Sequence, residues 1–423
     1  MKSGRARRSG CRSRNATRGL LVGVYALGLL AAASASMAYN LDIEALQPGE
    51  CVEVPDQPSS ESFRFEASPA HEALAQLVPP DVAIRSIRII RYKVFDLEDP
   101  EENNWLYRWA NDFHSVTRES VVRSHLLVNE GETYIPARVR EAERILRDLK
   151  FIYDASVRPW RWCGDSVDLE VITRDIWTFT PTVSFSRSGG ANDWALGFRD
   201  TNFLGSGKQV AIKYDSDDER AGTTLVYADP AILASRWQMR LSLTDNDDGH
   251  DHTFRLNRPF FSVYETWSAG GNLEDQELEE KLWFRGDEVA EFDHKRELVR
   301  VFGGIAPDVQ PEHQVGRWLF GYTYETHEFE FSDSEIPPSQ LPADRDYSYP
   351  FIGYQSIEDE FVEAMNLNYL GRTEDLYVGE RYNWSLGWSG EDLGGSRDQV
   401  VFSGRYGNTL RVNQRHWCCL LYT

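Results

Sequence analysis

Residues 236–245 read Arg-Trp-Gln-Met-Arg-Leu-Ser-Leu-Thr-Asp. Trp237, Met239, Leu241 and Leu243 occupy one set of alternate positions, and Arg236, Gln238, Arg240, Ser242 and Thr244 the other. Successive side chains of a strand point to opposite faces, so the stretch predicts a strand with one apolar and one polar face. Its length is about that of a tilted strand crossing a bilayer. Two arginines on the polar face would be costly in hydrocarbon and comfortable in a wet interior. The expectation is a strand with lipid on one side and water on the other.

Outward from this segment the same alternation recurs. Trp194, Leu196 and Phe198 show it, as do Val210, Ile212 and Tyr214, then Trp318, Phe320, Tyr322 and Tyr324, then Tyr382, Trp384, Leu386 and Trp388. From Trp177 onward the helical period disappears, and roughly twelve to fourteen strands are expected. Asp215-Ser216-Asp217-Asp218-Glu219 and the stretch Asp245–Gly249 are short acidic turns. Residues 331–347, with Pro337, Pro338 and Pro342, form an expected outer loop. Tyr214, Tyr227, Phe260, Phe261, Tyr264 and Trp267 sit near segment ends, where interface girdles would place them. Soluble sandwiches also alternate; a long series of such segments behind an export signal favours a membrane barrel.

That signal is residues 1–38. Lys2, Arg5, Arg7, Arg8, Arg12, Arg14 and Arg18 make a basic head, an apolar run from about Gly19 to Ala33 follows, and Ser36-Met37-Ala38 is a small-residue exit. This order reads as a secretory signal peptide, the apolar run being short for an anchor. Its removal leaves 38 basic against 67 acidic residues, which argues against nucleic acid as a partner. A mean hydropathy of -0.49 excludes a multi-helix membrane protein but not a barrel, whose strands average polar and apolar positions. Of the cysteines beyond the signal, Cys51, Cys163, Cys418 and Cys419 match no zinc spacing; a Cys51–Cys163 disulfide is open to an oxidising compartment, and sequence does not decide it.

Residues 39–83, with Pro55, Pro58, Pro69, Pro79 and Pro80, read as an extended lead-in with room for a short helix at His71–Leu77. Residues 84–175 show a mixed pattern. A β-rich run covers Ile84 to Val94, and a helical insertion is expected at Trp105–Phe113. Thr117 is the expected N-cap of a helix presenting Val121, Val122 and Leu126. Pro136 suits the first turn of the next helix, whose Val139, Ala142, Ile145, Leu146 and Leu149 follow a helical period. Strands follow at Phe151–Trp160 and Val167–Ile172, joined by Cys163-Gly164-Asp165.

No catalytic, cofactor or metal site is read. Asp245, Asp247, Asp248, His250, Asp251 and His252 lack the spacing of a calcium loop and read as a polar hairpin loop. No Gly-x-Ser-x-Gly elbow frames a nucleophile, and Gly189-Gly190 and Gly205-x-Gly207 lack the βαβ surroundings of a phosphate loop. The protein is not expected to be an enzyme.

Leu126–Tyr134, Glu143–Arg147, Tyr153-Asp154-Ala155, Asp168–Val171 and Thr173–Trp177 together resemble a POTRA domain. Asp200-Thr201-Asn202-Phe203-Leu204-Gly205-Ser206-Gly207-Lys208 is similar to the Asn-x-x-Gly-x-Gly hairpin that opens the barrels of the BamA/TamA superfamily of outer-membrane proteins. The resemblance implies an α+β POTRA domain (βααββ) at 84–175 in the periplasm. An antiparallel transmembrane β-barrel of sixteen strands would follow at 176–423. Unfolded outer-membrane or secreted clients, received by adding a client strand to a sheet edge of the POTRA domain, and outer-membrane lipid would be the partners. Insertion or translocation of clients is the implied role; a two-partner secretion transporter and a passive pore or surface antigen without a client are the alternatives. The ending His416–Thr423 departs from the alternating strand that closes such barrels, so an incomplete barrel from a truncated or shifted reading frame is expected, and Gly404-Arg405-Tyr406 has the wrong order for the family's lumen-loop motif.

Overall fold

The computed structural model describes residues 51–54, 65, 67–188, 191–217, 219–307, 314–332, 337–368, 372–412 and 415–422. The expected signal peptide, Gly189-Gly190 and Asp218 lie outside the described residues.

The first part of the chain forms β1 (Val52–Glu53), α1 (Pro69–Leu77), β2 (Ala83–Tyr92), α2 (Trp105–Phe113), α3 (Glu119–His125), α4 (Pro136–Asp148), β3 (Ile152–Trp162) and β4 (Ser166–Asp175). The sheet order is β1-β3-β4-β2, with β2 parallel and β3 antiparallel to β4. Helix α4 forms where its apolar period predicts: Val139, Ala142 and Leu146 are buried, packed with Val122, Tyr134, Ile84, Ile152, Leu169 and Val171 in one core. The stretch expected as an extended lead-in is not extended where described. Ser68 caps α1 by accepting from the His71 N–H, and Leu74, Val78, Val52 and Val54 enter the same core. Cys51 and Cys163 are bonded across a separation of 112 residues; closing so long a loop removes unfolded-state entropy worth about 5 kcal/mol in the chain-entropy picture.

Thr117 is not a helix cap. Arg118 stands at the N-terminus of α3 with no side-chain cap, and buried Thr117 instead donates its N–H to Asp175 Oδ2 at 2.7 Å. The expected cap is drawn away because Asp175, at the exit of β4, is buried and also binds His114 Nε2 at 2.8 Å.

The even positions of β4 carry charge into the module. Glu170 lies 2.7 Å from the Arg88 guanidinium, 2.9 Å from that of Arg158 and 3.5 Å from His71 Nε2. Asp168 pairs with Arg85 and Arg161 on the same face.

The rest of the chain is a meander: β5 (Phe179–Ser188), β6 (Ala191–Asp200), β7 (Gln209–Ser216), β8 (Ala221–Asp229), β9 (Gln238–Asn246), β10 (Gly249–Arg258), β11 (Trp267–Phe284), β12 (Asp287–Ile305), β13 (Gln314–Glu330) and β14 (Arg345–Glu358). A separate hairpin, β15 (Phe361–Met365) and β16 (Thr373–Tyr377), precedes β17 (Glu380–Ser389), β18 (Gln399–Val412) and β19 (Arg415–Tyr422). The large sheet has 13 strands in the order β19-β18-β17-β14 and then down to β5. All its pairings are antiparallel. Among the described residues β5 and β19 do not pair, so the sheet is not closed, in contrast to the sixteen-stranded barrel the resemblance implies. The stretch expected to break the alternation at the end is strand β19, its Cys418 and Cys419 opposite Thr409 and Asn408.

Burial pushes the Glu170 carboxyl up, but hydrogen bonds from His71, Arg88 and Arg158 outweigh it and hold the group down at about 2. A lowered folded value stabilises the fold above the ordinary carboxylate range and loses that contribution as pH falls through it. The contribution is about 3 kcal/mol, present above pH 4.5 and lost toward pH 2. Glu170→Gln is expected to cost about that amount at neutral pH, because it strands two arginines. Urea unfolding of the full chain, followed by the helical circular dichroism to which α1–α4 contribute, would show the loss and a flattened pH dependence; an unchanged midpoint would refute the role of Glu170.

Candidate membrane interface

Directly opposed residues of antiparallel strands share a face, so the registers show whether the apolar stripes join. They do. Tyr227, Leu241, Phe254, Leu273, Val299 and Tyr324 are opposed one to the next from β8 to β13. Gly303, Phe320, Ile352, Leu386 and Phe402 continue the band from β12 to β18. Val183, Leu196 and Tyr214, and Phe198, Ile212, Leu225 and Leu243, carry it back to β5. Many of these side chains, including Val183, Leu196, Leu225, Leu273, Val299 and Phe402, are exposed. A soluble sheet covers such a band with a second layer; the described residues supply none.

The opposite face is polar and internally paired. Arg255, Glu274, Arg296 and Glu325 form a ladder across β10–β13, with contacts of 3.2, 3.0 and 2.7 Å. Arg240 lies on this face, directly opposite Arg255 in the strand register. Arg236, expected beside it, does not. It precedes β9, stacks over Phe261 at 4.3 Å and donates to the carbonyls of Ser124 and Leu126.

The end of the sheet at Phe179, next to β4, is here the near end. Aromatics mark the band's near edge: Trp237 and Trp267 have ring centroids 6.5 Å apart, Trp318 and Tyr354 4.9 Å, and Tyr354 and Tyr382 6.1 Å. Phe260 and Tyr264, expected in this girdle, instead pack with Val263, Ala306 and Val315 in a small core under the turns. At the far end the same face turns charged: Asp275 opposes Glu297 and Glu277 opposes Lys295, as β11 and β12 run on past the band.

His250, Asp251 and His252, expected in a hairpin loop, are inside β10, because the turn closes between Asn246 and Gly249. The register brings Asp275 of β11 opposite His252, and donor atoms of His250, His252 and Asp275 lie within 4.8 Å of one another. Asp245 and Glu277 flank His250, whereas Asp247 accepts from the Ala221 N–H and Asp248 pairs with Arg220. Sequence alone shows the His-x-His spacing on one strand face; only the register supplies Asp275.

The mixed module is bolted to the near-end turns. Asn202 donates to Thr117 Oγ1 at 2.8 Å and accepts from the Gly207 N–H at 2.7 Å, and the Arg118 N–H donates to Gly205 O at 2.8 Å. Gly205 and Gly207 have φ of 68° and 71°, and a Cβ on either would collide, with the Val116 carbonyl and Val121 respectively; the hairpin read from the sequence thus needs glycine for conformation and for contact. Farther along, the Val263 N–H donates to Glu141 of α4 at 3.3 Å, and Arg317 of β13 braces the same turn by donating to Ser262 O at 2.9 Å. Arg147 of α4 binds Asp375 at 2.8 Å and Glu363 at 2.9 Å on the β15–β16 hairpin. Burial alone would lower the Arg147 pKa, but Asp375, Glu143 and Glu363 raise it above the ordinary guanidinium range. Nothing local in the sequence announces this hairpin's partners.

Between α1, α4, β3 and the hairpin lies a cavity of about 840 Å³, lined by His71, Tyr134, Glu143, Arg158, Met365 and neighbours. β1 pairs with β3 at Arg161 and Trp162, the Val54 N–H donates to Trp160 O at 2.9 Å, and the Val157 N–H donates to Glu143 at 2.7 Å; Asp154–Pro159 of β3 line the cavity.

A meander with one lipid-compatible band, an aromatic near edge and a charged opposite face is the architecture from which outer-membrane barrels are built. No protein-family model matches the chain, and no curated protein matches it. Among solved structures the chain is similar to BamA from Haemophilus ducreyi lacking POTRA domains 1-3, with 12% identity and a TM-score of 0.32 over 80% of this chain and 81% of that one. It is also similar to CdiB from Acinetobacter baumannii, with 9% identity and a TM-score of 0.37 over 81% of this chain and 53% of that one, about half of its length.

Leu241→Arg places a charge in the middle of the band and is expected to cost about 2–4 kcal/mol of folding free energy in a bilayer. Ser242→Arg, on the polar face, is expected to cost little. Refolding of both variants into lipid vesicles, scored by denaturant midpoint, checks the pair; equal losses would show that the two faces do not differ in environment.

Proposed function

We propose that the chain is an outer-membrane protein that inserts or translocates client polypeptides, its mixed module acting as a POTRA domain in the periplasm. The observation that carries this reading is the joint placement of two features. A lipid-compatible sheet is held by its near-end turns to a strand-bearing module, and a cavity of about 840 Å³ is lined by Asp154–Pro159 of that module's β3. An extended client segment docked there would use backbone hydrogen bonds, which are largely indifferent to sequence. The Arg147 and Asn202 contacts would then hold the docked segment close to the sheet. Outer-membrane lipid and unfolded client chains are the proposed partners, and no catalytic step is required of any residue.

Deleting residues 84–175 in cells that make the protein is expected to lower the amounts of other outer-membrane barrels while the shortened chain still fractionates with the envelope. Loss of one secreted polypeptide with all barrels unchanged would turn the reading to two-partner secretion. No change in any barrel or secreted protein would refute client handling and leave a passive pore.

A further inference from the structure

Helix α2 has three faces. Ala110 and Asn111 are buried, and Asn111 binds the Phe95 backbone through both its side-chain atoms, at 2.8 and 3.1 Å. Arg108 and Asp112 are exposed on a second side. On the third, Trp105, Leu106, Trp109 and Phe113 are exposed at 77%, 48%, 49% and 70%. Positions 105, 109 and 113 repeat every four residues and so stack along one stripe of the helix. Four large apolar side chains in water on nine residues are a costly surface, and a patch of this kind marks an interaction site.

The stripe leads to the membrane band. Trp109 stacks on Trp177 with centroids 6.3 Å apart. Trp177 lies two positions before Phe179, which begins β5, is itself exposed, and stacks on Phe198 at 5.8 Å. Through Trp177 the stripe thus comes within two residues of the start of β5, at the band's near edge. Tryptophan is the side chain that favours the headgroup boundary, with an apolar body and a polar N–H. A short helix with such a stripe beside charged residues can lie in that boundary without crossing it.

We infer that α2 is an interfacial anchor: Trp105, Leu106, Trp109 and Phe113 sit in the headgroup–acyl boundary of the leaflet at the near end of the sheet. The inference rests on the membrane reading of the band and adds a second, separate contact with lipid. Asn111 and the Trp109–Trp177 stack couple this contact to the segment that follows β2 and to the residues just before β5, so the anchor would fix the tilt of the module against the membrane.

The test uses the full chain with Cys11, Cys418 and Cys419 replaced by serine, the Cys51–Cys163 disulfide kept, and a polarity-sensitive fluorophore on a single introduced cysteine at position 105, 113 or 225. In vesicles of phosphatidylethanolamine and phosphatidylglycerol, labels at 105 and 113 should be blue-shifted, and quenched severalfold more by brominated lipid than by aqueous iodide. The label at 225 reports the band. A lipid-shielded label at 225 with iodide-accessible labels at 105 and 113 would overturn the anchor and spare the band. Iodide access at all three would overturn the band. Shielding of 105 and 113 only in native envelopes, and not in vesicles, would assign the stripe to a protein partner and overturn the lipid inference. Trp105→Ser with Phe113→Ser removes two exposed side chains and leaves the Asn111 contacts in place. It should retain the fold and lower vesicle flotation of chains whose sheet has not yet inserted; unaltered flotation would count against the anchor.

Discussion

The period of two along a strand, kept in register through antiparallel pairing, governs everything else in this protein. A slip of one residue anywhere would send an apolar stripe to the polar face and break the band. The observed registers hold Leu241 opposite Phe254 and Leu273 opposite Val299 while keeping Arg255, Glu274 and Arg296 together on the other side. Each strand is ordinary alone; the exposed band is a property of their alignment. In hydrocarbon the backbone must satisfy its own hydrogen bonds, and the ladders between neighbouring strands do so from β6 to β18, while β5 and β19 are each paired on one side only among the described residues.

The near-end turns translate that sheet into a position for the mixed module. Their contacts differ in kind: an asparagine fork at Asn202, a guanidinium reaching helix-terminal carbonyls at Arg236, and an arginine among three carboxylates at Arg147. Glycine at 205 and 207 lets the first turn approach the start of α3 closely. Module and sheet are therefore held at several separated points, and a force on one is transmitted to the other. If α2 also rests on lipid, the module touches the membrane directly as well as through the turns.

Much of this was legible in the sequence, for physical reasons. Alternation of Leu241 and Leu243 with Ser242, and the four-residue spacing in α4, are local signals, as is the pair of glycines in the Asn202 turn. The helix at Trp105–Phe113 was legible too, although its exposed stripe was not, since exposure depends on what else packs nearby. The sequence misled where a tertiary partner outcompetes local preference. Thr117 serves Asp175 and Asn202 instead of a helix end, and Arg236 serves α3 carbonyls instead of a lumen face. Residues 67–82 looked unpatterned because α1 packs a short stripe into a core assembled from distant segments. The meeting of His252 with Asp275, and of Arg147 with the β15–β16 hairpin, depends on registers and docking that no short window encodes.

The central claim is that one face of the sheet meets lipid and the other meets water. A spin-label scan from residue 222 to residue 228 along β8, with collision of oxygen and of a water-soluble nickel complex measured at each site in reconstituted vesicles, tests it most directly. Oxygen contact should peak at 223, 225 and 227 and nickel contact at 222, 224, 226 and 228, in strict alternation. Equal nickel contact on both sets, or positions 223, 225 and 227 shielded from both reagents as in a dry protein core, would contradict it.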